Sequence, residues 1–194
     1  MRISLPNSNT FSKVFFQSLG KEINDQIKGI ATDSREIQSG DLYIAIPGEN
    51  FDGHSFLKEV FVAGASAALV SSPKDNLKGS QIIVDNTIEA IGKVATKWRE
   101  QYQIPIIGIT GSNGKTSTKE ITYELLNHYF KGKKVFKSPK NWNNELGLYF
   151  SLLSLETSHE IAVFELGTNF PGEIFTLSDF LKPDHGVITN IGHS

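Results

Sequence analysis

The feature that most constrains this chain is the rhythm of its second half, where short uninterrupted apolar runs alternate with segments of helical period. Residues 87–101 carry Ile88, Ile91, Val94, Ala95 and Trp98 on one helical face, and residues 104–110 form an apolar strand. A helix over 115–130 follows, with Ile121, Leu125 and Tyr129 aligned, then a short strand at 135–136 and a helix over 145–155. A strand at 161–166, a helix over 173–180 and a strand at 186–190 complete the series. Strands that are apolar throughout, separated by helices, predict a mostly parallel sheet covered on both faces. The first half is a string of shorter units. The spacing predicts helices over 10–19 and 54–63, and strands at 41–47, 67–70 and 81–84. The boundary is expected near Asp85-Asn86, giving a small α/β domain over 1–85 and a phosphate-loop, doubly wound domain over 86–194. The chain stops at Ser194 straight after a strand, where an open parallel sheet usually continues, so the second domain is expected to be truncated.

Composition excludes several classes. The 194 residues contain no cysteine, which removes disulfides, thiolate catalysis and cysteine-held metals. Nineteen basic against 21 acidic side chains leave a net charge of -2, unlike the basic excess of a duplex nucleic-acid binder. No stretch reaches the ~20 apolar residues of a membrane span, and the N-terminus lacks the pattern of a secretory signal. A cytoplasmic protein, with no nucleic-acid partner and no membrane insertion, is expected.

The chemistry concentrates in Ile106-Ile-Gly-Ile-Thr-Gly-Ser-Asn-Gly-Lys-Thr-Ser117, set between a strand and a helix. Glycines at 111 and 114 let the backbone curl so that successive amides point at one anion, and the following helix adds the positive end of its dipole. Lys115 can reach outer phosphates, and the Thr116 hydroxyl can ligate magnesium. Ile109 stands where a full Walker motif has its first glycine. From Gly108 to Asn144 seven lysines face two acids, which favours an anion, although Lys131, Lys133, Lys134 and Lys137 read as a solvated edge. Glu165 ends an apolar strand, where ligands of open parallel sheets bind, and is the expected partner of a metal. His128, His159 and His185 read as surface residues, and Trp98 and Trp142 as packing. Asp33-Ser34-Arg35 alone reads as a turn cap.

Together the motifs resemble a known family. The segment from Ile109 to Glu120 is similar to the phosphate loop of the Mur ligases, ATP-dependent enzymes of peptidoglycan synthesis, which also lack the first Walker glycine. Asn141-Trp-Asn-Asn-Glu-Leu-Gly147 resembles the segment that follows in that family. Phe164-Glu-Leu-Gly-Thr-Asn-Phe-Pro-Gly-Glu-Ile174 resembles the branch that joins D-alanyl-D-alanine to UDP-N-acetylmuramoyl-tripeptide. Thr32-Asp-Ser-Arg35, Gly40-Asp-Leu42, Gly48-Glu49 and Phe51-Asp-Gly-His54 resemble its UDP-substrate domain. The resemblance implies ATP and magnesium as cofactors and an acyl-phosphate intermediate. It places ATP on Gly111, Ser112, Asn113, Gly114, Lys115, Thr116 and Ser117, and magnesium on Thr116 and Glu165. Ser34, Arg35 and His54 are expected at the UDP end, and Asn141, Asn143 and Asn144 at the pyrophosphate and sugar. Lys140 and Tyr149 depart from the usual family residues. His193 stands two places before the position of the family's metal-binding histidine, where the family residue varies, and is not assigned as a ligand. The acceptor domain is implied to lie beyond Ser194, so the chain is expected not to turn over alone. Rival readings are the preceding ligase of the same series, against which Pro171-Gly-Glu-Ile174 speaks, a phosphate-loop kinase or switch, and a non-catalytic nucleotide-binding module.

Overall fold

The computed structural model describes residues 1–23, 26–48, 51–139 and 142–192. The chain divides into two compact units, Met1–Lys97 and Trp98–Ser194.

The first unit runs β1 (Arg2–Ser4), α1 (Ser8–Leu19), β2 (Gly29–Ala31), β3 (Asp41–Ile44), α2 (Leu57–Val62), β4 (Ala67–Val70), β5 (Ser80–Ile83) and into α3 (Thr87–Arg99). Its sheet has the order β1-β2-β3-β4-β5, with β1 antiparallel to β2 and the other pairs parallel. Every residue of β3 and β4 is buried, as parallel strands covered on both faces must be. The Asn7 side chain caps α1 by accepting the Thr10 amide, and Gly20 ends it in the left-handed conformation. Between those caps Phe11, Val14 and Phe15 are buried. The expected helix over 54–63 begins instead as a 3-10 turn at Gly53–Phe56, and α2 follows it.

Strands β1 and β2 were not anticipated from the sequence. Each has three residues, too few for alternation to show. Long-range chemistry holds them. Arg2 donates to both oxygens of the fully buried Asp41, Nε at 2.7 Å and Nη2 at 3.0 Å. Gly29 makes room for this pair, since a Cβ there would lie 2.5 Å from Asp41 Oδ1.

The second unit contains β6 (Ile106–Thr110), α4 (Lys115–Tyr129), β7 (Lys134–Lys137), α5 (Glu145–Leu153), β8 (His159–Glu165), α6 (Glu173–Leu181) and β9 (His185–Ile188). The sheet order is β7-β8-β6-β9 and all pairs are parallel. Right-handed crossovers running in opposite directions place α4 and α6 on opposite faces. Register sets Ile109 beside Glu165, so the carboxyl ends of β6 and β8 are neighbours. Trp98 packs as expected, buried, with its indole N–H donating to Leu155 O. His159, read as a surface residue, opens β8 half-buried, and its ring meets Phe136 edge-on. Among the described residues no helix is long and apolar enough to cross a membrane.

One face assignment is reversed. The aligned Ile121, Leu125 and Tyr129 of α4 are 60%, 51% and 74% exposed. The helix turns Tyr123 and Leu126 onto Ile109, Val135, Ile161 and Val163, and it buries Lys119 completely. A polar residue on the inner stripe hid that stripe from a hydrophobicity pattern.

Candidate nucleotide and substrate sites

After β6 the chain turns at Gly111 (φ +136°) and Gly114 (φ +80°), conformations that glycine adopts without strain. At Gly111 a Cβ would also sit 2.1 Å from Thr189 Oγ1. At Gly114 a Cβ would meet nothing within 4 Å, so this side of the turn is open. Gly114 precedes α4 and supplies no side-chain cap. The amides of Lys115, Thr116 and Ser117 therefore have no acceptor within the helix, and the positive end of its dipole is uncovered. The Lys115 ammonium folds over the turn, donating to Gly111 O at 2.7 Å and Ser112 O at 3.3 Å.

The turn is pinned by the segment after β9, a contribution that sequence reading missed. Ser112 N donates to Asn190 O at 3.0 Å, Asn113 N to Asn190 Oδ1 at 2.9 Å, and Thr189 Oγ1 to Asn113 O at 2.5 Å. Asn190 lies 77 positions from Asn113, and no local signal links them.

Glu165 closes β8 and is 3% exposed. Its amide donates to Ser138 Oγ at 3.0 Å, and its Oε1 accepts from Asn143 Nδ2 at 3.0 Å. Its Oε2 is buried and has no hydrogen-bond partner. Lys119 Nζ lies 3.6 Å from that oxygen, donates to Ser138 O at 3.0 Å, and stands 3.6 Å from Glu120 Oε1. Glu120 in turn pairs with Lys137, whose ammonium sits 4.0 Å above the Tyr123 ring. Lys137 is thus engaged rather than simply solvated, and its hydrogen bond holds the Glu120 carboxyl below its ordinary range.

Asn143 and Asn144 border a cavity of about 530 Å³ together with Lys115, Thr168 and Glu173. Asn143 holds Glu165 and accepts the Gly167 amide at 2.7 Å; Asn144 caps α5 through the Gly147 amide at 2.9 Å. Asn141 and Lys140 lie outside the described residues, as do Glu49 and His193. Glu173 organises the far wall. Its Oε2 accepts the amides of Asn169 and Phe170 and the Thr168 hydroxyl, and those amides depress its carboxyl pKa.

The first unit has its own cavity, of about 720 Å³, bordered by Thr32, Ser34, Arg35, Tyr43 and Phe51. Asp33 caps the short 3-10 turn at Ser34–Glu36, and the exposed Arg35 guanidinium donates back to it at 2.9 and 2.6 Å. Those hydrogen bonds hold the Asp33 carboxyl well below the usual range. Burial pushes the Tyr43 phenol up to about 12 while its hydroxyl donates to Gly53 O. His54 does not border this cavity. It is 2% exposed, its Nδ1 meets Asp52 Oδ1 at 2.6 Å, and its Nε2 accepts the amides of Ser71 and Ser72. Those bonds assign the proton to Nδ1 and leave no ring nitrogen for a ligand.

Among the described residues no group of three or more acidic or histidine side chains is arranged to hold a metal ion. Near the glycine turn, Glu165 Oε2 is buried without a hydrogen bond, and Thr116 brings a hydroxyl to the first turn of α4. Two hard oxygen donors suit magnesium, which keeps several waters and is commonly completed by substrate phosphates.

The comparisons agree with this architecture. Residues 109–194 match the Mur ligase middle domain, and residues 26–111 match the catalytic domain of the Mur ligase family. The chain belongs to the Mur ligase family. Among its relatives, the UDP-N-acetylmuramoyl-tripeptide–D-alanyl-D-alanine ligase of Synechocystis sp. is 39% identical over 98% of this chain and 42% of that protein. The Bacillus subtilis ligase of the same name is 41% identical over 87% of this chain and 36% of its own length. Among solved structures, the D-alanyl-D-alanyl ligase of Acinetobacter baumannii superposes with a TM-score of 0.86 at 36% identity, covering 94% of this chain and 42% of that one. MurF ligase from Thermotoga maritima, in complex with ADP, gives a TM-score of 0.75 at 35% identity, covering 84% and 37%. The chain thus spans about two fifths of the length of these relatives.

Proposed function

We propose that this chain carries the UDP-precursor-binding and nucleotide-binding parts of a cytoplasmic ligase that joins D-alanyl-D-alanine to UDP-N-acetylmuramoyl-tripeptide, residues 1–85 serving the first task and 86–194 the second. In that reaction the terminal carboxylate of the tripeptide attacks the γ-phosphorus of ATP, forming an acyl phosphate and releasing ADP. The dipeptide amine then displaces phosphate and loses a proton, forming the amide. A carboxylate is a poor electrophile, and phosphorylation supplies the leaving group it lacks. The protein's task is to hold reactants in line and neutralise charge on the transferring phosphoryl group.

The observation that carries this reading is the uncapped amide turn Gly111–Ser117 beside Glu165, whose Oε2 is buried and unbonded. On this reading the first-turn amides cradle phosphates, and Lys115 leaves Gly111 O and Ser112 O for the outer phosphate oxygens. Thr116 and Glu165 are the residues that would hold magnesium, which when bound neutralises phosphate charge. Asn143 acts behind Glu165, while Asn144 shapes the cavity wall at the head of α5. Ser34 and Arg35 meet the UDP end, and His54 supports that site from behind by tying residues 52–54 to 71–72.

Calorimetric titration with MgADP and, separately, with UDP-N-acetylmuramoyl-tripeptide tests the reading. Binding of both is expected, with MgADP binding lost in Lys115→Ala and peptide binding weakened in Arg35→Ala. Binding of neither ligand by the folded chain overturns it.

A further inference from the structure

We propose that Lys119 is a positioning residue for the Glu165 carboxylate, keeping Oε2 charge-compensated yet free of hydrogen bonds for a divalent cation. The inference rests on the reading of Glu165 as the metal-side carboxylate. Several observations converge on it. Lysine is almost never fully buried, and taking its ammonium out of water is costly unless it is compensated. A packing role alone would be served at least as well by Met or Leu. Lys119 is nevertheless completely buried on the inner face of α4, one turn beyond Lys115.

Its compensation has a particular geometry. An ammonium has three donors. One is fixed on Ser138 O at 3.0 Å, and that anchoring stops Nζ at 3.6 Å from Glu165 Oε2, beyond hydrogen-bond distance. Ser138 is anchored to Glu165 as well, since its hydroxyl accepts the Glu165 amide. On the other side Asn143 grips Oε1. The carboxylate is therefore held at one oxygen by an amide and faced at the other by a cation that forms no hydrogen bond with it. Its lone pairs at Oε2 stay available. Glu120 stands equally far from Nζ and is tied to Lys137, so the charges of Glu165, Lys119, Glu120 and Lys137 form a balanced chain.

The readout is the ratio of ADP affinities with and without Mg²⁺, measured by calorimetry on the 194-residue chain. In wild type Mg²⁺ is expected to tighten ADP. Lys119→Met should reduce that metal-dependent gain by about tenfold or more, as loss of a group that orients a metal ligand does. Metal-free ADP affinity should stay within about twofold, because Lys115 and the loop amides are untouched. A measurement on wild type covers the case in which Lys119→Met does not fold. The Lys119 ammonium resonance, slowed in exchange by burial, is expected to shift on adding MgADP and to stay in place with ADP alone. An undiminished gain in folded Lys119→Met, or an ammonium resonance indifferent to Mg²⁺, overturns the proposal. Glu165→Gln separates it from the reading beneath it. If that variant keeps the full gain, Glu165 is not the metal-side group and both fall. If it loses the gain while Lys119→Met retains it, only the role of Lys119 falls.

Discussion

Each unit sets a cation against a buried carboxylate beside its parallel strands, and the two pairs are built in opposite ways. In the first unit Arg2 meets Asp41 with two hydrogen bonds, and the Gln38 amide adds a third at 2.9 Å, so both Asp41 oxygens are occupied. In the second unit Lys119 stops short of Glu165, and one buried oxygen has no partner. A saturated pair has nothing left to offer a ligand; it ties β1 to the sheet and crosses Gly29. An unsaturated one retains a desolvated acceptor at the carboxyl end of a central strand. Native folds satisfy nearly all their buried polar atoms, so the exception points to the chemistry.

Asp41→Ala leaves Arg2 without its partner and should cost about 3–5 kcal/mol in urea unfolding. Gly111→Ala forces a side chain into the left-handed region and against Thr189; about 1–3 kcal/mol is expected, with MgADP binding lost in calorimetry. Glu165→Gln should cost about 1–3 kcal/mol, because the buried Lys119 ammonium loses one compensating charge, although Glu120 still faces it and Oε1 can still accept from Asn143. If it costs as much as Asp41→Ala, the distinction between the two pairs is wrong. Asn144→Ala removes the cap of α5 and should cost about 1 kcal/mol by the same unfolding measurement. The smallest effect concerns acid. The Asp52 carboxyl is depressed below 3.8, first by the His54 amide and then by its ring. A depressed carboxyl adds stability above its unfolded pKa and loses it as pH falls through the folded value. Wild type should therefore lose more stability than Asp52→Asn below about pH 4, read as melting temperature against pH.

The legible parts of the chain were those governed by local rules. The strand at residues 67–70 was read with its observed bounds, and those at 41, 106 and 159 within a few residues, because apolar runs bounded by turn residues carry that signal. The glycine turn between β6 and α4 was legible for the same reason. Where three-residue strands depended on a partner, as Arg2–Ser4 does on Asp41, nothing local announced them. Asn144 reads locally as a cap for the helix that follows it, and it serves as one. His54, by contrast, could not be separated from a ligand-facing histidine until the amides of Ser71 and Ser72 were seen on its ring.

Local pattern alone specified the alternation of elements, the parallel sheet, the glycine turn before α4 and the place of Glu165 at a strand's end. Those follow from periodicity, from glycine's freedom and from the rule that open parallel sheets bind at their carboxyl ends. Tertiary structure alone decided that α4 turns Lys119 inward and Ile121 outward, that Asn190 pins the turn, and that Asn143 holds Glu165. Periodicity records which residues share a face but not what that face meets, and a hydrogen bond between distant residues exists only once the fold has brought them together.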